Sequence, residues 1–177
     1  MDLADMIIAF AKDFPEALWK FLWVAGALVG TVYVGTALLR MARASRLPGQ
    51  NPVTVGDILP IIIIAGLMLN LSSFINKAWN TLAAGTITYG PVAYASPAEF
   101  GKFSDAINAA LSIASVAGGV YFFRGLLLLK KASVEGQASQ GVDDVVWRAL
   151  THMTGGVLLV QIAETIERFR QSFHLFW

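Results

Sequence analysis

The sequence predicts an all-α membrane protein of four transmembrane helices, set out as two tandem parallel hairpin repeats behind an N-terminal amphipathic helix. Three observations predict it. The first is composition. Of 177 residues 56% are apolar and only 14% charged, with a mean hydropathy of +0.61. A water-soluble domain carries about 25% charged residues, so this chain lacks the charge to cover a surface facing water. The second is the presence of four mostly apolar stretches near the roughly 20 residues that a helix needs to cross a hydrocarbon core of about 30 Å. The third is self-similarity. Gly30-Thr31-Val32-Tyr33 and Leu38-Leu39 recur as Gly118-Gly119-Val120-Tyr121 and Leu126-Leu127, and Arg43-Ala44-Ser45 recurs as Lys131-Ala132-Ser133. Upstream, Phe14-Pro15-Glu16-Ala17-Leu18 is similar to Phe103-Ser104-Asp105-Ala106-Ile107. A long-period repeat of this kind marks a duplicated structural unit.

The elements follow in order. Residues 2–13 place Leu3, Met6, Ile7 and Phe10 at helical spacing with Asp2, Asp5, Lys12 and Asp13 largely opposite. That pattern is a short amphipathic helix for the membrane interface, with Pro15 expected to break or restart it. The opening Met1-Asp2-Leu3-Ala4-Asp5 is acidic, where a secretory signal opens with positive charge. The start is therefore expected to be retained. The four spans are Leu18–Leu39, Ile58–Ala78, Ala106–Leu129 and Val146–Ile166. Span two starts behind Thr54 and Asp57, with Pro60 placed in a first turn that tolerates it. Span four starts behind Asp143-Asp144, which a helix N-terminus favours electrostatically.

The connection at 79–105 is rich in glycine, proline, tyrosine and small residues. It predicts a folded external loop containing a short β-hairpin, with Trp79, Tyr89 and Tyr94 suited to the membrane interface. The whole is one membrane domain, 1–177: amphipathic helix 1–13, hairpin 14–78, external loop 79–102 and hairpin 103–177.

Orientation follows from lysine and arginine in short loops. Arg40, Arg43 and Arg46 follow span one; Lys130 and Lys131 follow span three, with Arg148 just inside span four. The N-terminal segment is acidic, and the 79–105 connection holds Lys102 as its one basic residue. Both basic loops are placed in the cytoplasm and both termini in the periplasm. The hairpins then share one orientation, whereas many secondary transporters use inverted repeats.

Several residues are candidates for function. Gly26 and Gly30 stand four apart in span one, and Ala110, Ala114 and Gly118 keep that spacing in span three. Such ridges let helix backbones approach closely in lipid, either within the chain or between copies of it. Asn70, Ser73 and Lys77 in span two repeat the spacing of Gln161, Glu164 and Arg168 in span four. These polar stripes are expected to face the bundle, a neighbouring subunit or water, since hydrocarbon penalises them. Arg40, Arg43, Arg46, Lys130 and Lys131, with Arg124 snorkelling toward them, are read as topology determinants or as an anionic phospholipid site. His152 is read as a packing residue or a proton relay.

No enzyme motif is found: no phosphate-binding glycine loop, no paired catalytic carboxylates within a span, and no metal-ligand cluster. The absence of cysteine removes disulfides and thiolate metal sites. A net charge of +1 gives no global attraction for nucleic acid, and no sequence-specific nucleic-acid binding is expected.

The four-span layout, the acidic start, the Arg43-Ala44-Ser45 and Lys131-Ala132-Ser133 loops and the Gly90-Pro91 external connection resemble the TraQ/DotE (IcmC) membrane proteins of IncI-type conjugation and Dot/Icm systems, together called type IVB secretion. The resemblance covers most of the chain and implies no catalytic residues. Each hairpin also resembles a conjugative pilin of the type IVA systems, with two apolar helices, external termini and an internal basic loop. Those pilins assemble helically with phospholipid and turn their basic loops to the lumen, which by resemblance implies that role for Arg40, Arg43, Arg46, Lys130 and Lys131. The chain departs from the pilin pattern as a fused double hairpin without an evident cleavable leader.

The functional expectation is a non-enzymatic structural subunit of a conjugative or type IVB secretion apparatus in the bacterial inner membrane, with a double-hairpin pilin or channel subunit as its sharpest form. Its expected partners are membrane lipid, copies of itself and other secretion subunits. No cofactor is expected beyond bound anionic phospholipid, and no metal. The alternatives are a small solute or ion transporter, which would draw on His152, Arg124 and Glu164, and a membrane accessory or chaperone factor.

Overall fold

A computed structural model describes residues 3–46, 55–83, 85–135 and 142–174. Among these residues every regular element is helical: α1 (Leu3–Arg46), α2 (Val55–Leu69), α3 (Leu71–Leu82), the single turn α4 (Pro97–Phe100) running into a 3-10 turn (Gly101–Phe103), α5 (Ser104–Glu135), α6 (Val142–Val160) and α7 (Ile162–Ser172). Two helical stretches, Asp13–Ala44 and Ser104–Ser133, are long and apolar enough to cross a membrane. The number rises to four if each bent pair, α2 with α3 and α6 with α7, forms one span.

The first departure from expectation is at Pro15. Residues 3–13 do not form a separate helix; α1 runs for 44 residues with Pro15 inside it. Proline removes one backbone donor and crowds the preceding turn, at a cost of about 3 kcal/mol. Three local contacts surround the proline. The Pro15 ring is fully buried, Phe10 stacks on Phe14 at 4.3 Å, and Lys20 pairs with Glu16 at 2.8 Å. Pro60 likewise lies inside α2, and Thr54, its expected cap, falls outside the described residues.

The second departure is at the far ends of spans two and four. Neither Ile58–Ala78 nor Val146–Ile166 is one straight helix. The chain turns by 94° between α2 and α3 and by 90° between α6 and α7. The hinges are Asn70, at φ −114° and ψ 45°, and Gln161, at φ −107° and ψ 49°. In both places the hinge residue keeps helical bonding on either side. Asn70 N–H donates to Gly66 and its carbonyl accepts from Phe74 N–H; Gln161 does the same with Val157 and Thr165. The Thr165 hydroxyl also donates to the Leu158 carbonyl at 2.9 Å, covering an acceptor that the bend frees. The physical reason for bending lies in the side chains. A straight continuation would carry Asn70, Ser73 and Lys77, or Gln161, Glu164 and Arg168, along one face of a spanning helix.

Contacts along the helices set their directions. Gly26 lies against Met68 and Leu71, and Gly30 against Ala65 and Leu69, so α1 and α2 are antiparallel. Gly118 lies against Gly156 and Val160, and Gly125 against Ala149 and Met153, so α5 and α6 are antiparallel. Trp19 meets Gly119 and Tyr33 meets Lys130, so α1 and α5 run the same way. α5 occupies the centre, packed on α1, α2 and α6. The main core joins Trp19, Leu22, Met68, Ile75, Trp79, Phe122, Leu126 and Val157. A smaller cluster of Ala37, Ile58 and Ile61, with Tyr33 against it, lies nearer the end of α1.

The third departure is the external connection. It is folded, but no strand is present among its described residues, so the expected β-hairpin does not form. Its backbone donors go to helix side chains instead of to a partner strand. Asn108 Oδ1 accepts from Tyr94 N–H at 2.9 Å and Ala95 N–H at 2.7 Å, while its Nδ2 donates to the Ala95 carbonyl at 3.0 Å. Ser112 Oγ accepts from Val92 N–H at 2.7 Å, and Asn76 Oδ1 from Ile87 N–H at 2.9 Å. Gly85 and Gly90 turn the chain at φ 141° and 154°, values that strain a residue with a side chain.

Candidate functional site

The site is built on the C-terminal half of α1. Tyr33, Thr36, Ala37, Arg40 and Arg43 recur at three- and four-residue steps and so share one face of the helix. Thr36 turns its hydroxyl back to the Tyr33 carbonyl at 2.9 Å, satisfying it within the helix. The close crossing at Gly30 holds α1 against α2, which brings Ile61 to this face. The parallel course of α1 and α5 delivers Lys130, whose Nζ lies 4.7 Å from the centre of the Tyr33 ring. A cation over an aromatic face at this range is attracted by the ring quadrupole.

Together these residues line a pocket of about 370 Å³, with Val32 and Leu39 completing its apolar wall. Its charged groups are Arg40, Arg43 and Lys130, contributed by both hairpins. Arg40 and Arg43 are exposed and Lys130 is half-buried. The pocket therefore combines apolar and cationic lining groups.

Of the six residues expected to meet lipid, these three are brought together. Lys131 is exposed and does not line the pocket, since the next residue on a helix points about 100° away. Arg124 is exposed on α5 and also lies outside the lining. The side chain of Arg46 lies outside the described residues.

The small residues divide in a similar way. A Cβ on Gly26 would stand 3.0 Å from the Met68 carbonyl oxygen, and one on Gly30 would stand 2.9 Å from that of Ala65. At Gly118 the distances fall to 2.6 Å, from the Gly156 carbonyl oxygen and the Val160 nitrogen. All three glycines face the other helix of their own hairpin. Ala110 is exposed and Ala114 half-buried. The ridge in α5 continues through Gly125, where a Cβ would stand 2.8 Å from the Ala149 carbonyl oxygen. Sequence reasoning missed Gly125, although it stands seven residues after Gly118 and so on the same face.

The polar stripes lie at or beyond the bends. Asn70, Ser73 and Lys77 are exposed, as are Glu164 and Arg168. Of the three expected surroundings, the bundle, a neighbouring subunit or water, these five side chains do not take the first. Gln161 reaches from its hinge to donate to the Thr86 carbonyl at 3.3 Å. Arg168 pairs with Glu164 at 3.0 Å and lies 5.9 Å from the centre of the Trp79 ring. His152 Nδ1 donates to the Arg148 carbonyl one turn earlier at 2.7 Å, and its ring sits 5.8 Å from that of Tyr121. His152, Arg124 and Glu164 belong to three helices, and no contact among the described residues joins them into a path.

A second cluster closes the opposite end of the bundle. Trp19 stacks on Trp23 at 5.1 Å, and Tyr89 meets them edge-on at 4.9 Å and 4.8 Å. The Tyr89 hydroxyl donates to the Ser72 carbonyl at 2.9 Å, and burial lifts its pKa well above the ordinary phenol value. The indole N–H of Trp19 is buried without a partner among the described residues. Reading Tyr89 as an interfacial tyrosine missed this role, because the contact joins residues 70 apart in the sequence.

The fold defines the class of the chain: an all-helical protein with two to four candidate membrane-spanning helices. Comparison with protein-family models, curated proteins and solved structures returns no significant match.

Proposed function

We propose that the chain is a non-enzymatic structural subunit of a bacterial conjugation or type IVB secretion apparatus. It sits in the inner membrane as a duplicated hairpin, with four spans, cytoplasmic basic loops and periplasmic termini, and works by associating with copies of itself and neighbouring membrane subunits. One pair of observations supports this reading, a glycine crossing and a bend in each half of the chain. Gly30 crosses Ala65 and Leu69 where Gly118 crosses Gly156 and Val160. Asn70 and Gln161 then bend their chains by nearly equal angles at nearly equal dihedrals. The resemblance of the loops to the TraQ/DotE proteins names the apparatus.

Self-association is supported by what the chain leaves uncovered. Phe21, Val24, Leu28 and Val32 form an exposed apolar row along α1, and Phe169 and Phe173 are exposed at α7. The row on α1 meets lipid or another helix; the α7 face lies across the end of a span, where a second subunit or the interface covers it.

The test is the mass and shape of the particle after extraction in a mild detergent, read by light scattering and electron microscopy. The reading expects a homo-oligomer, as a ring or a filament. A protein that stays monomeric at every concentration contradicts it.

A further inference from the structure

The outward side of the second hairpin carries charge where a membrane helix can least accept it. Tyr121 and Arg124 stand three residues apart on α5 and share a face, as do Arg148 and His152, four apart on α6. The rings of Tyr121 and His152 meet at 5.8 Å, so the two faces lie on one side of the antiparallel pair. α1 packs on another side of α5, through Trp19 against Gly119. Tyr121 is 46% exposed, both arginines are exposed and His152 is half-buried. We infer that this side of the hairpin docks a transmembrane helix of a different subunit, one that carries a carboxylate near mid-membrane and pairs it with Arg124 and Arg148. The inference rests on the membrane reading above and deepens it by giving the chemistry of one partner.

Three observations carry it. The first is depth. On the membrane reading α7 lies across the end of α6, so the bend at Gln161 marks the outer edge of the hydrocarbon core. Ser115 is level with that edge, because its hydroxyl donates to the Val160 carbonyl at 2.7 Å. Arg124 lies nine residues below Ser115 and Arg148 twelve below Val160. At 1.5 Å per residue these are depths of about 14 and 18 Å, near the middle of a core about 30 Å thick. Headgroups on either side are then farther away than a snorkelling arginine extends. The second is charge. Among the described residues neither arginine has a carboxylate partner, although Asp144 stands one turn before Arg148. An arginine at this depth faces protein or water and is paired, and its planar fork suits a bidentate bond to carboxylate. The third is the placement of this chain's own acids. Copies inserted the same way bring like residues to like depth. Asp57, Asp105 and Asp144 lie in the first turns of their helices, Glu164 follows the bend, and Glu16 precedes Trp19 and pairs with Lys20. Among the described residues a second copy therefore offers no carboxylate at the level of Arg124.

The probe is a synthetic peptide of about 20 apolar residues, long enough to span, with one glutamate at its centre. A central residue sits at mid-depth whichever way the peptide inserts. The full-length chain is reconstituted in phosphatidylcholine liposomes, and association is read by energy transfer between labelled peptide and protein at low peptide content. The glutamate peptide is expected to bind about tenfold more tightly than one with glutamine at the same place. Moving the glutamate near the end of the peptide should lose most of that gain. Arg124→Gln with Arg148→Gln should abolish the preference, and either substitution alone should lower it about threefold. Arg124→Lys, which preserves the charge, should keep part of it. Lys20→Gln, at the outer end of α1, should leave it unchanged.

Insertion is checked first, by flotation with the liposomes. A chain that does not float overturns both the membrane reading and this inference; an inserted chain indifferent to the peptide overturns the inference alone. Circular dichroism and gel filtration keep only variants that remain folded. Equal binding of the glutamate and glutamine peptides, or an equal loss in Lys20→Gln, overturns the inference. Loss of the preference when phosphatidylglycerol is added would assign the arginines to lipid headgroups and overturn it. Self-association that Asp144→Asn and Arg124→Gln disrupt alike would give this side of the hairpin to a second copy, with the same consequence. Reaction of Tyr121→Cys with a membrane-impermeant thiol reagent, in the absence of peptide, would make the face a water-filled conduit and would also overturn it. A preference for the central glutamate that both arginines carry, and that survives phosphatidylglycerol, supports it.

Discussion

The helices that follow the two bends, α3 and α7, start alike and end differently. Each begins after an amide residue, at nearly the same backbone angles, and leaves its partner helix at about a right angle. α3 then buries Leu71, Ile75 and Trp79 in the main core. α7 buries none of its residues; Ile166, Phe169 and Phe173 stay exposed, and its polar side is laced by the Glu164–Arg168 and Glu167–Arg170 pairs. The bend is thus a local device that both halves share. What the following helix does depends on what lies beside it. α3 lies beneath the external loop and against the central bundle. α7 sits at the end of α6, where the described residues reach it through few contacts, Arg168 over the Trp79 ring among them. The difference teaches that similar local geometry can close a core in one half and offer a surface in the other.

The largest expected effect tests that contrast directly. Trp79→Ala removes a side chain only 1% exposed and should destabilise the protein by about 3–5 kcal/mol. Phe169→Ala, 62% exposed, should change the stability of the monomer by less than about 0.5 kcal/mol and show its effect only in assembly. Denaturation in detergent, followed by tryptophan-independent circular dichroism, measures both. Equal losses would mean that α7 is part of the core after all.

Next come the glycine crossings, which compare the two hairpins themselves. Gly118→Leu would push a side chain into backbone at 2.6 Å, whereas Gly30→Leu meets backbone at 2.9 Å. Overpacking of this kind costs about 1–3 kcal/mol and occasionally more. Gly118→Leu should lie at or above the top of that range, and Gly30→Leu within it. Gly66→Leu, with open space around it, serves as the control. Thermal unfolding of the three variants checks the order, and a larger loss at Gly66 would remove the crossings from the account.

Smaller effects belong to the loop between α3 and α5. Asn108→Ala leaves the Tyr94 and Ala95 amides without their acceptor and should cost about 1–3 kcal/mol. Hydrogen exchange should quicken at residues 92–96 before it changes in the helices. Tyr89→Phe deletes one hydrogen bond to Ser72 while keeping the ring against Trp19 and Trp23, for a loss of about 1 kcal/mol. A loss as large as that of Trp79→Ala would show that the loop, rather than α3, closes the core.

Much of this arrangement is legible in the residues, and the illegible parts share a cause. The long apolar helices follow from composition, because nothing else in the chain could bury so much apolar surface. The close approach at Gly30 and Gly118 follows from spacing, because a missing side chain is visible in the sequence. The meeting of Arg40, Arg43 and Lys130 in one pocket was legible in part, because the sequence sets basic residues after its first and third apolar stretches. Lys131, one residue on, could not be separated from Lys130 without the rotation of α5. The bends were hidden because Leu69-Asn70-Leu71 and Val160-Gln161-Ile162 keep the apolar content of a continuous span; hydropathy does not record direction. The continuity of α1 through Pro15 was hidden because burial of that proline is a tertiary effect. The loop was misread as a β-hairpin because its glycines and prolines announce turns, while the acceptors for its amides, Asn76, Asn108 and Ser112, are side chains of the flanking helices α3 and α5.

The central claim is that two hairpins lie side by side in a membrane with one orientation. Single cysteines at Ser45, Ser96 and Ser139 test it most directly, using a membrane-impermeant thiol reagent on whole bacteria with a permeabilised outer membrane. The account predicts labelling at Ser96, with Ser45 and Ser139 shielded until the inner membrane is opened. Labelling at only one of Ser45 and Ser139 in intact cells would contradict it, because the two hairpins would then point in opposite directions.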